Sequence, residues 1–128
     1  MILLDTHAWL WLAGDTSYLS KRAASRIRSS TRLGVCTISI WEIAMLVGRG
    51  RLKFDRDLEG WFGQATTLDR LEMIPLSPTI GMRLAEMGRG FHGDPADRII
   101  AATALTLGVN LVTQDEKLRA YKPLTCIW

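Results

Sequence analysis

The stretch His92-Gly93-Asp94-Pro95-Ala96-Asp97-Arg98-Ile99-Ile100-Ala101-Ala102 opens a helix and sets two carboxylates, three residues apart, into its first turn. Asp94 has the short acceptor side chain of an N-cap, and Pro95 suits the first helical position, where no N–H is needed. Residues 99–107 are apolar except for Thr103 and Thr106, the pattern of a buried helix, and Gly108 supplies a stop. Acids at a helix start are favoured by its dipole, and an Asp cap with an acid three residues on is close to a capping box. Taken alone, the pair has an ordinary structural explanation. Its meaning depends on where the other acids fall.

Outward from that helix, short apolar runs alternate with helical patterns. Residues 1–4 are continuously apolar and end at Asp5, as expected of a strand buried on both faces. Residues 8–13 read as a short apolar helix closed by Gly14-Asp15, and Ser20 caps a second helix over 21–30, with Ala23, Ala24 and Ile27 on one face. Residues 33–37 form a second strand. Ser39, with Glu42 three residues on, matches a capping box for the next helix, which carries Ile40, Ile43, Ala44 and Val47 on its apolar face and stops at Gly48-Arg49-Gly50. Residues 57–68 read as helix with Leu58, Trp61 and Phe62 inward, and 73–76 as a third strand, confined to an edge by Pro75. Ser77 or Thr79 caps a helix running to Met87, and the glycines of 88–93 mark a loop. A fourth strand over 109–113, a helical turn over 115–119 and a last strand over 124–128 complete the chain.

Strands alternating with helices imply right-handed crossovers and a parallel sheet covered on both faces. The expected architecture is α/β: a three-layer α/β/α fold with a central parallel sheet of four or five strands in the order 3-2-1-4-5. With no repeat, linker or low-complexity segment in 128 residues, one domain over 1–128 is expected.

Composition narrows the class. Apolar residues make up 48%, which excludes a disordered chain. No segment approaches the roughly 18 to 20 uninterrupted apolar residues of a membrane helix. The start lacks a basic region ahead of its apolar run, which argues against a secretory signal. Cys36 and Cys126 sit in strand-like apolar runs, as buried free thiols do, and a cytoplasmic location follows as an expectation. No Cys/His cluster has zinc spacing. Net charge is only +3, but sequestering several acids in one cleft would leave a distinctly basic surface, suited to a polyanion held by its backbone. The basic run Arg49, Arg51, Lys53 and Arg56 reads either as a solvated face or, through Arg49, Arg51 and Lys53 above all, as a set of phosphate contacts.

The acids fall where an open parallel sheet binds ligands, beyond the carboxyl ends of its strands near the point where strand order reverses. Asp5 follows the first strand, Asp115 the fourth, and Glu42 lies in the helix after the second. The helix opened by Asp94 and Asp97 leads into the fourth strand and must start near that same rim. Four or five carboxylates would thus converge. Left alone they repel and raise one another's pKa, which a divalent cation relieves. Oxygen-only donors favour Mg²⁺ or Mn²⁺, one ion or two, over zinc. The chemistry such a site supports is phosphodiester hydrolysis.

Together, Leu3-Leu4-Asp5-Thr6-His7, Ser39-Ile40-Trp41-Glu42-Ile43-Ala44, Gly50-Arg51-Leu52, His92-Gly93-Asp94-Pro95-Ala96-Asp97-Arg98 and Leu111-Val112-Thr113-Gln114-Asp115 resemble the PIN-domain ribonucleases, and within them the VapC-type toxins of bacterial toxin–antitoxin pairs. The resemblance runs through essentially the whole chain in order. It implies a Mg²⁺- or Mn²⁺-dependent endoribonuclease acting on RNA, usually a homodimer, inhibited by a small antitoxin protein whose tail blocks the site. It puts Asp5, Glu42 and Asp97 on the family's acidic triad and Asp115 on a more variable fourth position. Asp94 matches an accessory acid, Thr113 a polar position beside the site, and Arg98 a residue that positions an acid or meets phosphate.

His7 is expected to serve a helix-start hydrogen bond rather than as a general base. Most of the five tryptophans are expected in the core; an exposed Trp9 or Trp11 would mark the antitoxin's docking groove. Three other readings compete. A phosphorelay receiver needs an acid pair after the first strand, where this chain has Asp5-Thr6, and a closing helix after Pro123. A dehalogenase-like phosphatase needs an acid where His7 stands. A catalytically silent PIN-like module that binds RNA or protein shares the same residues.

Overall fold

Each strand sits where a short apolar run meets a neighbour of the same kind. A computed structural model describes residues 1–91 and 93–128; His92, part of the helix-opening stretch and of the loop before it, lies outside the described residues. The strands are β1 (Ile2–Leu4), β2 (Leu33–Cys36), β3 (Leu71–Ile74), β4 (Asn110–Val112) and β5 (Cys126–Ile127). They form one sheet in the order β3-β2-β1-β4-β5, and every pairing is parallel, as the alternating pattern predicts. In β1, pairing Leu4 with both Val35 and Val112 fixes the central register.

Among the described residues, seven helices cover the sheet: α1 (Thr6–Ala13), α2 (Lys21–Ser29), α3 (Ile38–Gly48), α4 (Leu58–Ala65), α5 (Pro78–Met87), α6 (Pro95–Leu107) and α7 (Glu116–Ala120). A short 3-10 turn, Thr16–Tyr18, follows α1. Because side chains alternate along a strand, Ile2 and Leu4 enter one core and Leu3 the other. Trp9, Ala23, Ile27, Ile43, Trp61 and Ala65 from α1–α4 fill the first; Ile80, Met87, Ile100, Ala101, Ala104 and Leu118 from α5–α7 fill the second. The three-layer α/β/α arrangement therefore comes from strands apolar on both faces.

Most boundaries are set locally. Ser20, Asp57, Ser77, Asp94 and Asp115 each accept a backbone N–H of the first turn they cap. Gly108 ends α6 at φ 65°, ψ 37°, a left-handed conformation open to glycine.

Several boundaries differ from the sequence pattern: α1 starts at Thr6 rather than at residue 8, α4 ends at Ala65 rather than at 68, and β3 starts at Leu71 rather than at 73. β3 ends at Ile74, two residues before the expected end, because Pro75 has no N–H for the ladder. The capping box expected at Ser39 is absent. The helix begins at Ile38 after Thr37, which is itself in helical conformation and makes no side-chain cap. Ser39 is fully buried within the first turn, and its hydroxyl is drawn to another helix instead.

Trp9 and Trp61 are in the core, Trp11 and Trp128 are half-buried, and Trp41 alone of the five is exposed. Cys36 is a buried free thiol as expected, pushed up to about 11 by burial, whereas Cys126 is only half-buried. Among the described residues no helix is long and apolar enough to cross a membrane.

Candidate active site

Two strand ends and two helix starts build the site. The register that pairs Leu4 with Val112 puts Asp5 and Thr113 next to each other just past the C-terminal ends of β1 and β4. Asp5 is buried at 6% exposure, although it ends an apolar strand. Each of its oxygens accepts one hydrogen bond. Oδ1 accepts the Ala8 amide at 2.7 Å, capping α1, and Oδ2 accepts the hydroxyl of Thr113. Thr113 Oγ1 in turn accepts the Asp115 amide at 3.0 Å. The threonine thus fixes both the buried carboxylate and the turn that presents Asp115, whose own Oδ1 caps α7 through the Lys117 and Leu118 amides at 2.9 and 3.0 Å.

Glu42 is placed by a buried contact that the sequence does not announce. Thr6 Oγ1 and Ser39 Oγ lie 2.8 Å apart, joining the first turns of α1 and α3. Glu42 is three residues beyond Ser39 and so lies on the same side of α3, facing the rim. Thr6 carries no signal by itself; Ser39 does carry one, as half of a capping-box pattern, and it points to the wrong partner.

Asp94 caps α6 by accepting the Asp97 amide at 3.0 Å. The same bond orients the backbone that carries Asp97. Arg98 donates to the carbonyls of Gly88 and Phe91 at 2.6 and 3.0 Å, tying the glycine loop to the start of α6.

These pieces meet. Asp5, Glu42, Asp94, Asp97 and Asp115 line one cavity of 180 Å³, with Thr6 and His7. A second cavity of 340 Å³ continues from Asp5, His7 and Asp115 to Trp11 and Gln114. Arg49, Arg51 and Lys53 are exposed and line neither; Arg49 caps the far end of α3, about 10 Å along the axis from Glu42 at 1.5 Å per residue, and Arg51 and Lys53 follow it. His7 is exposed and leans over Trp11 with ring centroids 5.7 Å apart. Its ring makes no hydrogen bond among the described residues, so the helix-start bond expected of it is not formed; the Asp5 carboxylate caps α1 instead.

The electrostatics follow from the crowding. Burial first, then Asp94, Asp115, Glu42 and Asp5 in turn, push the Asp97 carboxyl up to about 7. Burial also raises Asp5, against the hydrogen bonds from Thr113 and Ala8 and the field of His7, with Glu42 adding to the rise. The cavity therefore holds more negative potential than its carboxylates tolerate when ionised together. Among the described residues no group of three or more His, Cys, Asp or Glu side chains stands close enough together to hold a metal ion. The donors suit a hard dication and do not suit zinc.

The sequence profile of the PIN domain matches residues 2–123. Over 130 aligned positions the chain is 32% identical to Ribonuclease VapC22 of Mycobacterium tuberculosis, covering 99% of this chain and 98% of that protein. Its fold is similar to that in the solved structure of VapBC-1 from nontypeable Haemophilus influenzae, with TM-score 0.72 and 22% identity over 98% of this chain and 96% of that one. It is also similar to VapBC2 from Rickettsia felis, solved bound to a DNA fragment from its promoter, with TM-score 0.71 and 18% identity over 98% and 97% of the two chains. A 3-2-1-4-5 parallel sheet, a rim of acids and a match across nearly every residue lead to one assignment: the chain belongs to the PIN-domain family, in its VapC branch.

Proposed function

We propose that this protein is a divalent-metal-dependent endoribonuclease that hydrolyses phosphodiester bonds in RNA and acts as the toxin of a toxin–antitoxin pair. The observation that carries the reading is the convergence of five carboxylates, from four distant parts of the chain, on one small cavity. In this reading Asp5, Glu42, Asp97 and Asp115 hold one or two Mg²⁺ or Mn²⁺ ions, and Asp94 is accessory. When bound, such an ion neutralises phosphodiester charge and brings the pKa of water toward neutrality.

The chain's own residues position and hold. The Ala8 amide and the Thr113 hydroxyl leave each Asp5 oxygen one free lone pair, directed by the bond it already makes. The Thr6–Ser39 contact ties the start of α1, beside Asp5, to the start of α3, the helix that carries Glu42. Burial, reinforced by Asp94, Asp115, Glu42 and Asp5, raises the Asp97 carboxyl, and a cation beside it would favour the ionised form. Arg98 keeps the loop before α6 closed on the helix start. Arg49, Arg51 and Lys53 meet the RNA backbone outside the cavity.

The 32% identity to a protein named as a ribonuclease supports the reaction class. The neighbours named as VapBC pairs support an antitoxin partner, with which a homodimer of this chain would act in the cytoplasm. The test is cleavage of RNA by the purified protein. Wild type yields internal fragments with Mg²⁺ or Mn²⁺ and none with chelator, and Asp5→Asn and Asp97→Asn variants with native circular dichroism yield none. A folded wild-type protein that leaves RNA intact with either ion overturns the proposal and leaves a non-catalytic module.

A further inference from the structure

The 340 Å³ cavity that continues from Asp5 and Asp115 has two further polar lining residues, Gln114 and Glu116, that the hydrolytic reading leaves without a role. They flank Asp115, and the backbone around them is pinned. Thr113 N–H donates to the Ile127 carbonyl at 3.2 Å, Asp115 N–H donates to Thr113 Oγ1 at 3.0 Å, and Asp115 Oδ1 accepts the Lys117 and Leu118 amides. Gln114 and Glu116 are both exposed, and among the described residues neither side chain makes a hydrogen bond or ion pair. Glu116 stands in the first turn of α7, where a carboxylate suits the helix dipole, but Asp115 already caps that helix. An amide and a carboxylate without protein partners thus line a cavity that opens directly from the reacting acids.

We infer that Gln114 and Glu116 select guanine at a nucleotide next to the bond to be cut. The inference rests on the ribonuclease reading and adds a base specificity to it. A carboxylate offers two acceptors side by side and no donor. Among the four RNA bases only guanine presents two donors side by side on its pairing edge, the N1–H and the N2 amino group, with the O6 acceptor beside them. The Gln114 amide supplies the N–H that O6 needs. Adenine and cytosine place a ring-nitrogen acceptor next to their amino group, and uracil flanks its single N–H with carbonyls. Each of those three brings an acceptor against the carboxylate and leaves polar atoms unpaired, which a hydrogen-bonding site rejects strongly. Three carboxylates line this cavity, so away from a bound cation an uncharged base fits it better than a phosphate does.

The test uses the full-length protein with Mn²⁺ and single-stranded RNA 12-mers. Cleavage of a randomised 12-mer pool, read by sequencing the fragment ends, should show guanine enriched at a position flanking the cut. With guanosine at that position, wild type should cut a defined 12-mer with a kcat/KM about tenfold above that for the inosine 12-mer, which lacks only the N2 amino group. Glu116→Ala, at an exposed position that leaves the core intact, should bring this ratio close to one. Gln114→Ala provides the second variant and should lower the guanine enrichment in the pool. If wild type cuts RNA with no guanine preference beside the cut, the inference is overturned and the ribonuclease reading stands. The same holds if Glu116→Ala leaves the guanosine-to-inosine ratio unmoved, including the case in which both rates fall together, the mark of a merely structural residue. A wild-type protein that cuts no RNA overturns the ribonuclease reading and this inference with it.

Discussion

The hydroxyl of Thr113 donates to Oδ2 of Asp5, 108 positions earlier in the chain, and both residues are buried. One side chain therefore orients the innermost carboxylate and, by accepting the Asp115 amide, the turn bearing a second. Thr113→Val removes both bonds while keeping the shape. We expect RNA cleavage to fall about 10- to 100-fold, as when partners behind a metal ligand are removed. Stability should fall by about 1–3 kcal/mol, because the Asp115 amide and the Asp5 carboxylate are left short of a partner. Thr113→Ser should recover most of both, read by initial rates and urea denaturation.

The Thr6–Ser39 pair predicts a coupling. Each hydroxyl is buried and each satisfies the other. Thr6→Val or Ser39→Ala alone strands a buried polar group, at about 1–3 kcal/mol. The double variant should cost less than the two singles added, a deviation of about 0.5 kcal/mol or more in a double-mutant cycle. Strict additivity would mean that the two helix starts are held by packing alone.

Asp97 predicts how stability depends on pH. Its carboxyl is raised from 3.8 to about 7 in the folded state, so between those values the folded protein binds a proton that the unfolded chain has released. Stability then falls as pH rises through that window, and Asp5, also raised, acts in the same direction. With chelator present, the melting temperature should be higher at pH 5.5 than at pH 8. Mg²⁺ or Mn²⁺ at pH 8 should recover the difference, and Asp97→Asn should flatten the profile. An Asp97→Asn profile as steep as wild type would place the strain elsewhere.

The basic run makes a prediction of a different kind. Arg49, Arg51 and Lys53 are exposed and outside the acid cavity. Replacing all three by Gln should weaken RNA binding uniformly across sequences. It should lower the salt slope by about two to three, close to one unit for each phosphate no longer neutralised. The rate at saturating RNA should be unchanged.

Much of this arrangement is legible in the sequence because it is written locally. Asp94, Pro95 and Gly108 delimit α6 by their own backbone preferences, and β1 is short, apolar and followed directly by an acid. The topological rule then carries Asp5, Glu42, Asp97 and Asp115 to one rim without any knowledge of side-chain contacts. What is not legible depends on through-space partners. Ser39 has the spacing of a capping residue, but burial against Thr6 outweighs that local role. Arg98 reaches back to carbonyls 7 and 10 positions earlier, and nothing in its neighbours signals that it would. β3 starts at Leu71 although Glu72 interrupts the apolar run, so its start is set by pairing with β2 rather than by pattern. The contact of Trp11 with His7 follows from i,i+4 spacing on α1, but those with Tyr18 and Trp128 cross a turn and most of the chain, which periodicity does not connect.

The most direct measurement is isothermal titration of Mn²⁺ into the metal-free, full-length protein at pH 7.5. The account predicts saturable binding of one or two ions that disappears in folded Asp5→Asn and Asp97→Asn variants and releases protons as Asp97 ionises. A flat titration of wild type, or binding that survives both substitutions, would contradict it.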